Sequence, residues 1–395
     1  MKKIYYGRAV YDNREINAVN NVLKNNSLNL IDGPKVKKLE NVVSKIFGKR
    51  FGLMVNSGSS ANLLGLASFD FKKGSEVITT NLTFSTTVSP IYQLGLIPYF
   101  IGSQKNKFVA DHNQIERCIN KKTVAIMIPN LLGNICDWEK IYNTAKKYNL
   151  KVIEDSADTI GYTKNNKNLG KYSDIVTNSF YASHIINGAG TGGIVCFNNF
   201  KQYQRAKLLR GWGRSSATFN ESENIAKRFN VKISGIDYDR KYIFFDLGYN
   251  FLPSEISAAF ALEQLKKLKK NINSREKNFQ FLRNFFKNYP QLVNLPEQNK
   301  GIKTAWLAYP LVIKKNKFFT RKNLQIFFEK QNIQTRTIFT GNILRQPIMK
   351  GRKFKKAKNS EIISNDVMRN GMLLGCHQGM TKKDLLYICK IFKKF

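Results

Sequence analysis

What most constrains the fold of this chain is an alternation. Short apolar runs take turns with amphipathic stretches of helical spacing from residue 52 to residue 179. The apolar runs at 52–55, 76–79, 97–101, 123–128, 151–154 and 174–179 read as strands. The stretches at 60–69, 85–94 and 138–148 read as helices, and two further helices, 13–23 and 36–47, precede them on either side of the Gly33-Pro34 break. Strands that alternate with helices are parallel strands joined by crossovers, which predicts an α/β sheet covered on both faces. Ligands of such sheets bind beyond the carboxyl ends of the strands. Past residue 249 the pattern changes: long helical stretches at 253–270 and 275–289 lead into a strand-like run at 307–313 and a smaller α+β alternation. At 395 residues the chain exceeds what one core supports. The expected organisation is therefore a large domain with its leading helices at 1–249 and a small domain at 250–395.

Sixty-five Lys and Arg against 27 Asp and Glu give a formal charge of +38, which raises the question of nucleic acid. The lysines come singly or in pairs beside Asn and Ile, as solvated faces do, and form no aromatic-interleaved stripe, so no nucleic-acid partner is expected. A positive field of this size suits an anionic substrate. The five cysteines contain no C-x-x-C pair and read as reduced thiols. No apolar run is long enough to span a membrane. The start, Met1-Lys2-Lys3, reaches Gly7 and Arg8 before a signal-peptide core can form, so the expected location is the cytoplasm, with no membrane partner.

Four places could carry chemistry. Asn56-Ser57-Gly58-Ser59-Ser60-Ala61-Asn62 joins a strand to a helix, and free backbone N–H groups there suit a phosphate, although an ordinary helix cap would read the same way. Glu154-Asp155-Ser156-Ala157-Asp158 puts acids at the sheet's carboxyl edge, where a buried carboxylate could face a protonated ring nitrogen or simply cap a turn. Ser179 ends a strand at the same edge. His184 follows it and is one of three histidines, a residue type that serves as a base near neutral pH but is more often structural.

Taken in order, these segments together with Thr83-Phe84-Ser85-Thr86-Thr87, Ser179-Phe180-Tyr181, Gly192-Gly193 and Gly248-Tyr249-Asn250 resemble the DegT/DnrJ/EryC1/StrS family of pyridoxal-phosphate-dependent sugar aminotransferases, over essentially the whole chain. The resemblance implies a fold-type-I PLP-dependent transferase, α/β with a mostly parallel central sheet and a smaller α+β domain. Five positions after the matching serine, the aminotransferases carry the lysine that links covalently to the cofactor; here that position is His184, and no lysine occurs between Tyr172 and Phe200. This replacement resembles the branch of GDP-4-keto-6-deoxymannose 3-dehydratases and CDP-4-keto-6-deoxyglucose 3-dehydrases. Leu131-Leu132-Gly133-Asn134, Thr340-Gly341-Asn342, Cys376-His377-Gln378 and the acid Asp158, where aminotransferases usually have glutamine, match that branch as well.

The resemblance implies pyridoxal 5'-phosphate and its pyridoxamine form as cofactors, a nucleotide-linked 4-keto-6-deoxyhexose as substrate, glutamate as amino donor, and a homodimer. His184 would be the catalytic base that removes a proton from the cofactor's methylene carbon as the C3 hydroxyl departs. Gly58, Ser59 and Ser179 would hold the phosphate, Phe84 would stack on the ring, and Asp155 would face the ring nitrogen. Asp158 would complete the shell, and Asn250 would reach the neighbouring subunit's phosphate. The CDP-sugar enzymes hold an iron–sulfur cluster through cysteines at places that here read Ala157 and Ser215-Ser216-Ala217-Thr218, so no cluster and no metal are expected and the GDP-sugar-like activity is favoured. A 4-keto sugar aminotransferase and a cluster-free CDP-sugar dehydrase are the alternatives. Two departures stand out: the stretch from His184 to Gly192 is longer than in the dehydratases, and Thr191 replaces a glutamate.

Overall fold

The computed structural model describes residues 3–25, 30–218 and 224–395. Helices α1 (Asn13–Asn25) and α2 (Pro34–Ile46) open it, α2 burying Val36, Leu39 and Val43 at helical spacing. The start of α2 is held from far along the chain. The carboxylate of Glu255 accepts from the backbone N–H groups of Gly33, Lys35 and Val36 at 2.9, 3.0 and 2.8 Å, a negative charge placed on the helix's positive end.

Strands β1 (Phe51–Val55), β2 (Glu76–Thr80), β3 (Ile97–Ile101), β4 (Thr123–Pro129), β5 (Lys151–Asp155), β6 (Ile175–Ser179) and β7 (Gly193–Phe197) form the large sheet. From β6 through β5, β4 and β2 to β3 every pairing is parallel, as the alternation predicts. β7 is antiparallel to both its neighbours, β1 and β6. The strands carry apolar residues on both faces, and alternate positions feed opposite cores. Met54, Ile126, Val152, Val176 and Ile194 pack on one side with α2 and α5 (Trp138–Lys147). Leu53, Met127, Ile153, Ile175 and Val195 pack on the other with α3 (Gly58–Ala67), α4 (Ser85–Gln93) and α6 (Phe200–Arg210).

Beyond these lie α7 (Glu255–Lys266) and α8 (Leu268–Phe286), which meet at Lys267, and a four-stranded antiparallel sheet in which β8 (Val293–Asn294), β9 (Tyr309–Ile313), β12 (Gly371–Leu374) and β10 (Arg336–Thr337) are neighbours in that order. Its core is aromatic, with Phe279 stacked on Trp306 at 4.1 Å and Phe286 on Tyr309 at 5.5 Å. Two late residues rejoin the large sheet. Strand β11 (Lys355–Lys356) pairs in parallel with β3 at the sheet edge, anchored by Lys355 on the buried carboxylate of Glu76 at 2.6 Å.

Candidate active site

The carboxyl ends of β1, β5 and β6 open onto a cavity of about 390 Å³, and its wall includes Gly58, Ser59, Phe84, Asp155, Asp158, Ser179 and His184. Residues spread over more than a hundred positions are thus brought to one place by strand ends.

The turn after β1 is shaped for an anion. Ser57 is extended and caps α3, its hydroxyl accepting from the Ser60 N–H at 3.1 Å. The N–H groups of Gly58 and Ser59 stand at the positive end of α3, that of Gly58 also facing the carbonyl of Gly192 in the Ser57–Gly192 bridge. Glycine is required at 58, because a Cβ there would lie 2.6 Å from Cβ of Ser179. That close approach sets the Ser179 hydroxyl beside the same N–H groups.

Asp155, at the last position of β5, is 4% exposed. One carboxylate oxygen accepts from Asn62 Nδ2 and Thr87 Oγ1, both at 2.8 Å, and the other from the Ala157 N–H at 3.1 Å. Burial pushes this carboxyl up and the three donors pull it back. A buried carboxyl with only neutral partners is the right counter-ion for a cation delivered by a ligand. Glu154, one residue earlier, points away from the cavity into its own network with Asn130, Ser156 and Tyr162, as strand alternation requires.

Phe84 precedes α4 and is 50% exposed; Phe339 meets its ring edge-on at 5.6 Å, so a face stays open to a flat partner. Asp158 accepts at 2.8 Å from the N–H of Leu132. The Leu131-Leu132-Gly133-Asn134 segment makes that contact through left-handed backbone at Leu132 and Gly133 (φ 60° and 83°), and a side chain at 133 would strike the carbonyl of Ala305 at 2.7 Å. Burial, helped by the nearby Asp155, lifts the Asp158 carboxyl to about 7.

His184 sits on a turn begun by its own N–H bonding to Tyr181 O at 2.9 Å. Nδ1 lies 3.4 Å from the carbonyl of Ser179, and Tyr181 meets the ring edge-on at 5.8 Å. Burial, with a contribution from the Arg275 guanidinium, depresses this imidazole to about 4 against the pull of the Ser179 carbonyl. It is therefore neutral near pH 7, and donation from Nδ1 leaves Nε2 as a proton acceptor. The stretch after His184 turns inward: Ile185 and Ile186 are buried, and the Gly188 N–H returns to Phe180 O at 2.9 Å. Thr191 donates its hydroxyl to Asn56 O at 2.6 Å, tying the glycine pair to the anion turn.

Asn250 stands outside the cavity wall, exposed and bridged to Gly211. Tyr6, Ser183 and Phe339 complete the wall and carry no local pattern that marks them; Tyr6 arrives from the segment before α1, held by Gln334 Oε1 at 3.2 Å. Arg275, which touches the His184 turn from α8, had the same anonymity in a lysine- and arginine-rich sequence. Ala157 is in the wall and no cysteine is; all five are buried elsewhere as free thiols.

A planar phosphorylated pyridine fits these groups. The N–H groups at the start of α3 suit its phosphate, the open face of Phe84 its ring, and the uncompensated Asp155 its protonated nitrogen.

Comparison with known proteins agrees with that fit. The family profile described as "DegT/DnrJ/EryC1/StrS aminotransferase family" matches residues 10–393. The chain is 32% identical to the dTDP-4-dehydro-2,6-dideoxy-D-glucose 3-dehydratase of Saccharopolyspora spinosa, covering 93% of this chain and 81% of that protein. It is 30% identical to the GDP-4-keto-6-deoxy-D-mannose 3-dehydratase of Escherichia coli O55:H7, covering 98% of each. A crystal structure of GDP-4-keto-6-deoxymannose-3-dehydratase with a trapped PLP-glutamate geminal diamine superposes with a TM-score of 0.86 at 28% identity, over 98% of this chain and 99% of the other.

Proposed function

The chain belongs to the DegT/DnrJ/EryC1/StrS aminotransferase family, with the fold-type-I architecture of PLP-dependent enzymes, and from that premise we propose that it is a 3-dehydratase of a nucleotide-linked 4-keto-6-deoxyhexose, most like the GDP-sugar enzyme. The observation that carries this reading is His184: a neutral imidazole stands on the cavity wall where the family's aminotransferases place a lysine, and among the described residues no lysine lines the cavity. Pyridoxamine phosphate, when bound, supplies the amine that captures the C4 ketone and a ring that accepts electrons. Gly58, Ser59 and Ser179 would hold its phosphate, Asp155 would keep its ring nitrogen protonated, Phe84 would stack on its ring, and Asp158 would complete the shell. Nε2 of His184 takes the methylene proton, and imidazole cannot form the covalent link that would retain nitrogen in an amino sugar.

Glutamate renews the amine. No iron–sulfur cluster takes part, because Ala157 and Ser215 to Thr218 offer no thiolate. A homodimer completes the site, Asn250 reaching the partner's phosphate. Exposed Tyr242, Phe244, Phe245 and Leu247, the last 92% accessible, precede Asn250 and form the apolar surface such an interface needs. Among the described residues no helix is long and apolar enough to cross a membrane, and the proposed place of work is the cytoplasm.

The deciding experiment is mass spectrometry of the product made from GDP-4-keto-6-deoxymannose with pyridoxamine phosphate and glutamate. The expected product has one oxygen fewer than the substrate and no added nitrogen. A product bearing an amine at C4 would make the chain an aminotransferase instead.

A further inference from the structure

We infer that Arg275 is a positioning residue for His184: a buried, unpaired guanidinium that locks the His184 turn onto α8 and the C-terminal Cys-His-Gln segment and keeps a fixed positive charge beside the imidazole. The inference rests on His184 being the base.

Arg275 is 0% exposed, yet no carboxylate lies within ion-pair reach of it among the described residues. Burying a cation without a counter-ion is costly, so its donors must be well used and its charge must have a reason to stay. Nε donates to Gln378 Oε1 at 2.7 Å. Nη1 donates to the carbonyls of Trp306 and Leu307 at 3.0 and 2.9 Å, and Leu307 is itself in the cavity wall. Nη2 reaches the carbonyls of Ser183 and His184 at 3.4 and 3.5 Å. Every acceptor is neutral. The fork therefore joins three separate segments while its full charge remains, and lysine, with one nitrogen, could not span them. One helical turn later Asn278 donates to the carbonyls of Cys376 and His377 at 3.3 and 2.9 Å, so the same face of α8 fixes the C-terminal segment at a second point.

The field has few competitors. Tyr6, His377 and the thiol of Cys376 face Arg275, all neutral near pH 7, and Asp155 and Asp158 share the cavity wall with His184 on either side of Ala157, whose carbonyl also draws on the imidazole. Consistent with this, Arg275 is among the causes that depress His184. Two roles follow, holding the turn in place and opposing a second positive charge on it.

The roles separate in two variants of the full-length protein. Gln378→Glu places an isosteric carboxylate against Nε, cancelling the field while keeping the fork. The NMR titration of the His184 ring, followed without added cofactor, should move its midpoint upward by about one pH unit, a tenfold gain in proton affinity. Arg275→Lys keeps the charge and loses the fork. Its His184 midpoint should stay low while kcat for dehydration falls about a hundredfold at unchanged KM, as expected for a displaced reacting group. Cofactor affinity, read by absorbance titration, should match the parent in both, which shows that they are folded. A Gln378→Glu midpoint equal to the parent's, or an Arg275→Lys protein with full kcat, overturns the inference. A shifted midpoint in a protein that dehydrates no 4-keto sugar leaves the positioning intact and removes the proposed reaction, so the two failures are distinct.

Discussion

The two halves of the cavity are built on different principles. The cofactor-facing half, from Ser57 to Asn62 with Thr87 and Asp155, is braced from within: Ser57 caps α3, and Asn62, Thr87 and the Ala157 N–H hold Asp155, in contacts of 2.8 to 3.1 Å between strand ends and helix starts of the large sheet. The His184 half is a turn without regular structure, whose position is set by Arg275 on α8 through longer contacts of 3.4 and 3.5 Å. A rigid recognition shell and a separately mounted proton carrier can change independently. On the proposed function, that separation would let one fold serve transamination or dehydration through the residue at a single position on the turn.

The largest test of this separation removes the carrier alone. His184→Asn should bind cofactor as the parent does and lose about a hundred- to ten-thousand-fold in dehydration rate, the ordinary worth of a general base. Near-parental turnover in that variant would break the comparison outright. The reciprocal change, His184→Lys, should give a protein whose bound cofactor absorbs in the visible and stays attached after borohydride reduction and denaturation, whereas the parent releases all of it. Next in size is damage to the shell. Asp155→Asn replaces a charge-assisted contact with a neutral one, a loss of roughly 1.5 to 3 kcal/mol, or about ten- to a hundredfold in cofactor affinity by absorbance titration. The cofactor-free variant should melt no lower than the parent, because it removes a buried carboxyl that has no cationic partner. An unchanged affinity would show that the ring nitrogen is not held there.

The same division decides what could be seen in the sequence. Strand and helix alternation gave the parallel sheet from β2 to β6, and the cavity shell was legible because each of its members sits within a few residues of a strand end. Strand β7 was missed although its Gly192-Gly193 entry was noticed and Ile194-Val195-Cys196-Phe197 is an apolar run, because no helix separates it from β6 and it falls outside the strand–helix alternation. Strand β11 was missed because Lys355 and Lys356 are pinned by the tertiary partners Glu76 and Glu361, not by an apolar pattern. The end of helix α7 was read four residues too far and the start of α8 seven residues late across their junction at Lys267, where two amphipathic stretches run on without a breaker. Tyr6, Phe339 and Arg275 reach the site from segments far away in the chain, and no spacing rule connects them to it. The role of Asn134 was equally hidden: it bonds the carbonyls of Lys107 and Glu297 and so braces the turn that serves Asp158.

A smaller effect should come from Gly58→Ala. The added methyl must displace Ser179, an overpacking cost of about 1 to 3 kcal/mol in a thermal or denaturant melt. If the loop relaxes without that cost, the anion turn is less rigid than the comparison holds.

The finest test uses pH, because the two halves carry opposite titrations. His184 binds its proton less well folded, at about 4, than unfolded, near the ordinary 6.5. Its contribution to stability is thus present above pH 6.5 and lost as pH falls toward 4. Asp158 binds its proton better folded, at about 7, than unfolded, near 3.8, so its contribution is present below pH 3.8 and lost as pH rises through 7. Between pH 4 and 6.5 one group gains stability with pH while the other loses it, and their slopes offset. Replacing one group should unmask the other. Relative to the parent, Asp158→Asn should gain stability with rising pH and His184→Asn should lose it, each with a slope of at most about 1.4 kcal/mol per pH unit. Taking each variant as a difference from the parent cancels the ionisable groups that do not interact with the replaced residue, leaving the coupling of Asp158 to Asp155 inside the Asp158→Asn difference. Denaturant melts at half-unit steps across that window would read both slopes, and slopes of the same sign would mean that the shell and the turn do not titrate as separate units.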